Sequence, residues 1–148
     1  MSMINCRGCA TEIHESAVSC PKCGATQASA QLSESWRRTF ASIEKAGGPK
    51  LPNVRNLTSA EKQRVSYNIL AFLFAFIYYI VKGMWRKAIT LFVLCLVGTL
   101  ILEVILHAMK VDQMYIDIMN WAVTGVVFGV RANIDYYKKI ELGDNGWL

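Results

Sequence analysis

The chain has 148 residues, is 53% hydrophobic, and carries 16 basic against 11 acidic side chains for a net charge of +5. That apolar share lies on the membrane side of the soluble average, and the length allows one ordinary domain or two small modules. The basic excess is uneven: residues 1–26 sum to zero, 27–64 to +4 and 65–148 to +1. Positive charge just ahead of an apolar block fits an anionic lipid surface, and no nucleic-acid partner is expected.

In chain order the first feature is CRGCATEIHESAVSCPKCG at residues 6–24. Cys6, Cys9, Cys20 and Cys23 form C-x2-C-x10-C-x2-C. Each pair offers two thiolates to one ion, and two pairs give the tetrahedral four-sulfur set that zinc prefers in closed structural sites. No apolar h-region marks a cleavable signal peptide before them, so the expected compartment is the cytoplasm, where thiols stay reduced. Ten residues between the pairs suffice for a hairpin, with Ile13 and Val18 as cover. A module this small has almost no core, so metal must hold it folded. One structural zinc is expected, with His14 outside the ligand set. Four cysteines leave no open position for catalysis.

This stretch resembles the short bacterial zinc ribbons found at the ends of many membrane and regulatory proteins. Cys6, Cys9, Ile13, Ala17, Cys20, Pro21, Cys23 and Gly24 carry the likeness. Those ribbons usually place Gly after the first pair, as Gly24 follows the second; here Ala10 stands there, which predicts a slightly distorted first knuckle.

Residues 27–58 read as a linker. Within it Leu32, Trp36, Phe40 and Ile43 recur at helical spacing, so an amphipathic helix is expected over 31–46. Trp36, Arg37 and Arg38 make it a candidate to lie in a membrane interface; the alternative is docking on its own protein. Gly47, Gly48 and Pro49 stop it. Thr58-Ser59-Ala60-Glu61 is a capping box, so the helical domain 59–148 should start near Ser59.

That domain holds three apolar segments, 65–81, 88–106 and 114–130. The second is a span of 19 residues with Glu103 as its only charge, long enough to cross a bilayer. The first has a continuous apolar run of only 13, Ile69 to Val81. Runs of that length are more often re-entrant, interfacial or buried. Basic clusters sit before segment one, after it (Lys82, Arg86, Lys87, beside Trp85) and after segment three (Arg131, Lys138, Lys139). The positive-inside rule assigns all three to the cytoplasm. Two spans satisfy it if segment one dips in and returns; three true spans do not. The expected fold is therefore an all-α membrane protein, a helical hairpin plus a short re-entrant or third helix, with a small N-terminal zinc ribbon. Two termini in the cytoplasm follow.

Gly125 and Gly129 form G-x-x-x-G, a close-packing motif for segment two or for a second copy in a homo-oligomer. Glu103 and Asp117 flank the turn at 107–113 at similar depth, where they can reach headgroups or Lys110. Arg131, Tyr136 and Tyr137 resemble interface anchors, as do Lys82, Trp85, Arg86 and Lys87. The aromatic-rich run, the KGMWRK break and the late ANxxYY element are similar to small inner-membrane proteins of unknown function in bacteria, which carry no known activity with them.

No Ser/His/Asp set, phosphate loop or open metal site is present, so no enzyme is expected. The leading expectation is a membrane-anchored interaction protein in the bacterial inner membrane, its cytoplasmic ribbon holding a protein partner. A pore-forming or bilayer-perturbing oligomer, and a proton or solute transport component using Glu103 and Asp117, are the alternatives.

Overall fold

The computed structural model describes residues 3–6, 8–14, 17, 19–25 and 32–148. Val18 and the first residue of the helix expected over 31–46 lie outside the described residues.

Strands β1 (Met3–Asn5) and β2 (Glu12–His14) pair antiparallel with Ile4 opposite Ile13. This hairpin straddles the first cysteine pair instead of lying between the two pairs. Its small core is Cys6, Ile13 and Cys20, with Cys9, Ala17 and Ala25 packed on it.

Helix α1 (Glu34–Lys45) buries Phe40 and Ile43 completely. Gly47 (φ 89°) and Gly48 (φ 94°) both take the left-handed conformation that ends it, and Gly48 N–H closes the last turn on Ile43 O at 2.9 Å. Of the two placements open to this helix, the structure shows docking on its own protein. Phe40 packs edge-on against Tyr137, with ring centroids 5.2 Å apart, and Trp36 packs on Tyr136 at 4.5 Å with the rings tilted by 60°. The apolar face therefore covers the C-terminal helix, and Arg37 and Arg38 remain exposed.

Helix α2 (Ser59–Ser66) starts on the capping box: Thr58 Oγ1 accepts from Glu61 N–H, and Thr58 N–H donates to Glu61 Oε2 at 2.7 Å. Lys45 Nζ reaches Glu61 Oε1 at 2.9 Å and ties α1 to α2.

Helix α3 (Ile69–Val81) is broken at Ala75, whose φ of 36° and ψ of −107° are not helical. The chain reverses there. Asn68, before the break, donates to the hydroxyl of Tyr78, after it, at 3.0 Å. A straight helix would set those residues about 15 Å apart along its axis. Both ends of α3 therefore lie beside the same part of the last helix, and the break forms a tip.

Helices α4 (Trp85–Ala108, 24 residues) and α5 (Gln113–Glu141, 29 residues) form an antiparallel hairpin, reversed at Lys110 (φ 58°). Their bounds exceed the apolar segments 88–106 and 114–130. At about 1.5 Å per residue α5 is about 43 Å long, more than a hydrocarbon core of about 30 Å. Its extra length, from Arg131 onward, is where α1 and α2 dock.

Two stretches, Ser59–Val81 and Trp85–Ala108, are long and apolar enough to cross a membrane. The first is not one rod, because Tyr67 and Asn68 are extended and Ala75 reverses it. The second has only 11% of its apolar stretch buried in the fold.

Candidate metal centre and the buried polar cluster

The two cysteine pairs adopt matching backbone turns. Ala10 N–H donates to Cys6 O, and Gly24 N–H to Cys20 O, both at 2.9 Å. Cys6 N–H then reaches Thr11 O at 2.8 Å, as Cys20 N–H reaches Ala25 O at 2.9 Å. Ala10 sits at φ 55° where Gly24 sits at φ 73°. The first knuckle thus keeps the shape of the second, with Ala held in a region that costs an L-residue about 1 kcal/mol. Gly8 lies between the pairs, where a Cβ would stand 2.9 Å from Ala25 Cβ and 3.2 Å from Cys23 Sγ.

Cys6, Cys9, Cys20 and Cys23 place their four Sγ atoms within 4.8 Å of one another. Cys6 and Cys23 sulfurs are 3.6 Å apart, and Cys9 and Cys20 sulfurs 3.7 Å. Sulfurs held about 2.3 Å from a central ion in a tetrahedron have edges of about 3.8 Å. The set therefore has the spacing of a four-thiolate cage and could hold a metal ion. Cys6 and Cys20 are buried, and Cys23 is exposed. His14 lies outside the four-residue set.

The helices hold a second constellation that sequence reasoning missed. The extended pair Tyr67–Asn68 interrupts the helical ladder and leaves backbone carbonyls to satisfy. Asn133 on α5 does so: its Nδ2 donates to Arg64 O at 2.7 Å and to Tyr67 O at 3.2 Å. Its Oδ1 accepts from Asn68 Nδ2 at 2.8 Å, and Asn68 N–H donates to Gly129 O at 3.0 Å. Two residues on, Asp135 is 1% exposed and accepts from Tyr79 Oη at 3.0 Å. Lys87 Nζ, on a side chain also 1% exposed, stands 3.7 Å from Asp135 Oδ1, and Arg131 Nε stands 3.4 Å from Oδ2. The sequence marked the stretches involved but not their partners. Asn133 and Asp135 belong to the ANxxYY stretch, and Lys87 is the only cation of its cluster at a helical spacing from apolar Leu91 and Cys95.

The structure relocates several predicted residues. Gly125 and Gly129 do mediate close packing, but their partner is segment one and not segment two. A Cβ on Gly125 would meet the Phe72 ring at 2.7 Å and Phe72 O at 2.8 Å. One on Gly129 would meet Phe72 Cβ and Tyr67 Cε2 at 3.2 Å. These glycines face their own chain and offer nothing to a second copy. Lys87, Tyr136 and Tyr137, expected as interface anchors, are buried. Helix α1 covers Tyr136 and Tyr137 on the overhang of α5, and Lys87 is turned in toward Asp135. Trp36 and Lys82 meet there too, with Lys82 Nζ 4.9 Å from the Trp36 ring centroid. Trp85 stays exposed against Trp147, and Arg86 lies 5.4 Å from the Trp85 ring. Glu103 stands 3.9 Å from His107, and Asp117 accepts from Gln113 at 2.9 Å, so each acid has a local partner on its own helix.

Residues 27–141 match the family described as "Protein of unknown function (DUF2628)". The uncharacterized protein YigF of Salmonella typhimurium is 31% identical over 124 residues, covering 78% of this chain and 90% of that protein. The same figures hold for the uncharacterized YigF of Salmonella typhi. No solved structure matches. The four clustered cysteines precede the matched residues, which hold all of α1 to α5 and the polar cluster. By the extent of that match the chain belongs to the DUF2628 family.

Proposed function

We propose that the protein is a membrane-anchored zinc-ribbon adaptor: α4 and α5 cross the cytoplasmic membrane, α3 dips into it and returns, and the ribbon holds a protein partner in the cytoplasm. The observation that carries the membrane reading is the surface of α4. Val93, Leu94, Val97, Ile101 and Val104 are each at least half exposed, Val104 by 70%, although no polar residue relieves that face. In water such a surface would drive association; in lipid it costs nothing.

Charge placement supports the orientation. Lys139 Nζ donates to Lys82 O, so the basic clusters after segments one and three share one end of the molecule. The opposite end carries Lys110 beside Asp112 and attracts no orientation of its own. The reversal at Ala75 lets segment one satisfy the same rule. Four thiolates at tetrahedral spacing support zinc, and a closed site of this kind supports binding over catalysis.

Reporter fusions at Lys50, Gly83, Lys110 and Leu148 test the topology. Only the Lys110 fusion should report the far side, and a far-side signal at Leu148 would sink the two-span arrangement. Elemental analysis of the purified protein should give about one zinc per chain, lost in the Cys20→Ser, Cys23→Ser variant. Crosslinking in native membranes should then capture a partner with the intact ribbon and lose it with that variant. An unchanged crosslink would end the adaptor reading.

A further inference from the structure

We propose that the cavity between α1, α2, α3 and α5 binds the phosphate of an anionic phospholipid headgroup. The proposal rests on the membrane orientation argued above. The cavity has a volume of about 300 Å³, and its lining residues include two cations, Arg64 and Lys82, but no carboxylate. It is also lined by the hydrogen-bonded set Asn68, Asn133 and Tyr78, fixed by contacts between α3 and α5. A site so lined presents fixed dipoles and positive charge to an anion.

Neither cation has a carboxylate partner among the described residues. Glu34 shares a smaller cavity with Arg64 but is ion-paired to Arg38. Lys82 Nζ instead lies over aromatic faces, 4.6 Å from the Tyr136 ring centroid and 4.9 Å from that of Trp36. Partial burial, and behind it the Lys139 ammonium, push the Lys82 pKa down. An anion at this spot would offset both effects.

A lipid, and not merely a phosphate ion, is favoured by the opposite wall. Ile69 and Leu70 line the same cavity and are 64% and 53% exposed. They begin an exposed apolar stretch that continues through Leu73 and Phe74 to the tip of α3. A headgroup among the cations would lay its acyl chain along that stretch. The cavity sits where the chain enters α3 and where α5 overhangs, which is headgroup depth in the proposed orientation.

The test uses the full-length protein in nanodiscs of phosphatidylcholine doped with phosphatidylglycerol, with native mass spectrometry counting retained lipid. Wild type should retain phosphatidylglycerol over phosphatidylcholine, and Arg64→Gln plus Lys82→Gln should weaken retention about tenfold or more. Lys50→Gln plus Arg55→Gln removes the same charge away from the cavity and should change nothing. Lys82→Arg keeps the charge, so retention should survive it and thereby separate binding from folding. Equal loss in both double variants, or no loss in the first, overturns the proposal. Inorganic phosphate that displaces the lipid at equal concentration would assign the site to free phosphate and overturn the lipid source. Insertion is read separately, by flotation with phosphatidylcholine-only vesicles. Flotation without phosphatidylglycerol preference overturns the headgroup site alone; failure to float overturns the membrane reading and this proposal with it.

Discussion

Asn133 holds the break between α2 and α3 with a single side chain. It pairs two carbonyls of the interrupted backbone and the side chain of Asn68. Asn133→Ala would leave those groups buried without partners, at about 1–3 kcal/mol each where water cannot reach them. The expected result is a loss of about 3 kcal/mol, read as a lower unfolding midpoint in detergent. Asn133→Asp, similar in size but short of one donor pair, should fail as a substitute. A midpoint within error of wild type in the Ala variant would show that lipid headgroups or water satisfy the break instead. Residue-scale features divide sharply in how far the sequence revealed them. The cysteine set was legible because metal ligation needs specific atoms at specific spacing, and Ala10 stood out against the expected glycine. Asn133 and Asp135 were not legible, since their value lies in partners 48 to 69 positions away and no local rule links such distances.

At the scale of elements, the helices follow from period and punctuation. The capping box at Thr58 and the glycine pair after α1 set ends that the structure keeps. What the sequence concealed was the partner of each face. Gly125 and Gly129 announce close packing, and Phe72 could not be named as the occupant because all apolar neighbours look alike in one dimension. Ala75 is the corresponding hidden bend. Its φ of 36° is a conformation that glycine enters freely and alanine does not. Ala75→Gly should therefore stabilise the reversed form of α3 by about 1 kcal/mol, and Ala75→Val should destabilise it by more. Accessibility of cysteines introduced at Leu73 and Ile77 to membrane-impermeant reagents reads the same feature. If α3 reverses, neither position is reached from the far side; labelling of Ile77→Cys from that side would replace the bend with a span.

The α1–α2 contact adds a pH dependence with a defined sign. Glu61 is held well below its ordinary 4.5, down to about 2, by the Thr58 N–H first, then by Lys45 and the Thr58 hydroxyl. A carboxylate with a depressed folded-state pKa contributes stability that is present above its unfolded value and lost as pH falls through the folded one. The contribution should be full above about pH 4.5 and gone near pH 2. Glu61→Gln removes it at all pH values. Thermal midpoints of wild type and variant should differ at neutral pH and converge as pH falls through that window. Curves that stay parallel would place the stabilising role elsewhere than in the charge.

The described residues form two apolar cores with no residue in common. One is Cys6, Ile13 and Cys20; the other runs from Phe40 through Val65, Tyr79 and Phe128 to Tyr137. Each should therefore lose or keep its structure by itself. The hairpin is too small to fold on apolar burial, so on the proposed zinc reading its stability comes from an ion held by the four cysteines. The helices have their own packed core, and in the proposed membrane orientation the surface that α4 leaves exposed faces lipid, which does not penalise it. Chelation should accordingly abolish the metal and the protection of amides in 3–25, while the helical circular dichroism and the membrane-pelleting fraction stay unchanged. The reciprocal holds for Asp135→Ala, which strands Lys87 in the second core at about 3–5 kcal/mol and should lower the helical midpoint without releasing metal. Restoring neutrality with Lys87→Met in the same chain should recover most of that loss, because no charge is then left buried unpaired and only the Tyr79 hydroxyl lacks its acceptor. Chelation that melts the helices, or an Asp135→Ala variant that sheds its metal, would show one cooperative unit. The ribbon would then be part of the membrane fold, and a role as an independent docking module would fall with the separation of the cores.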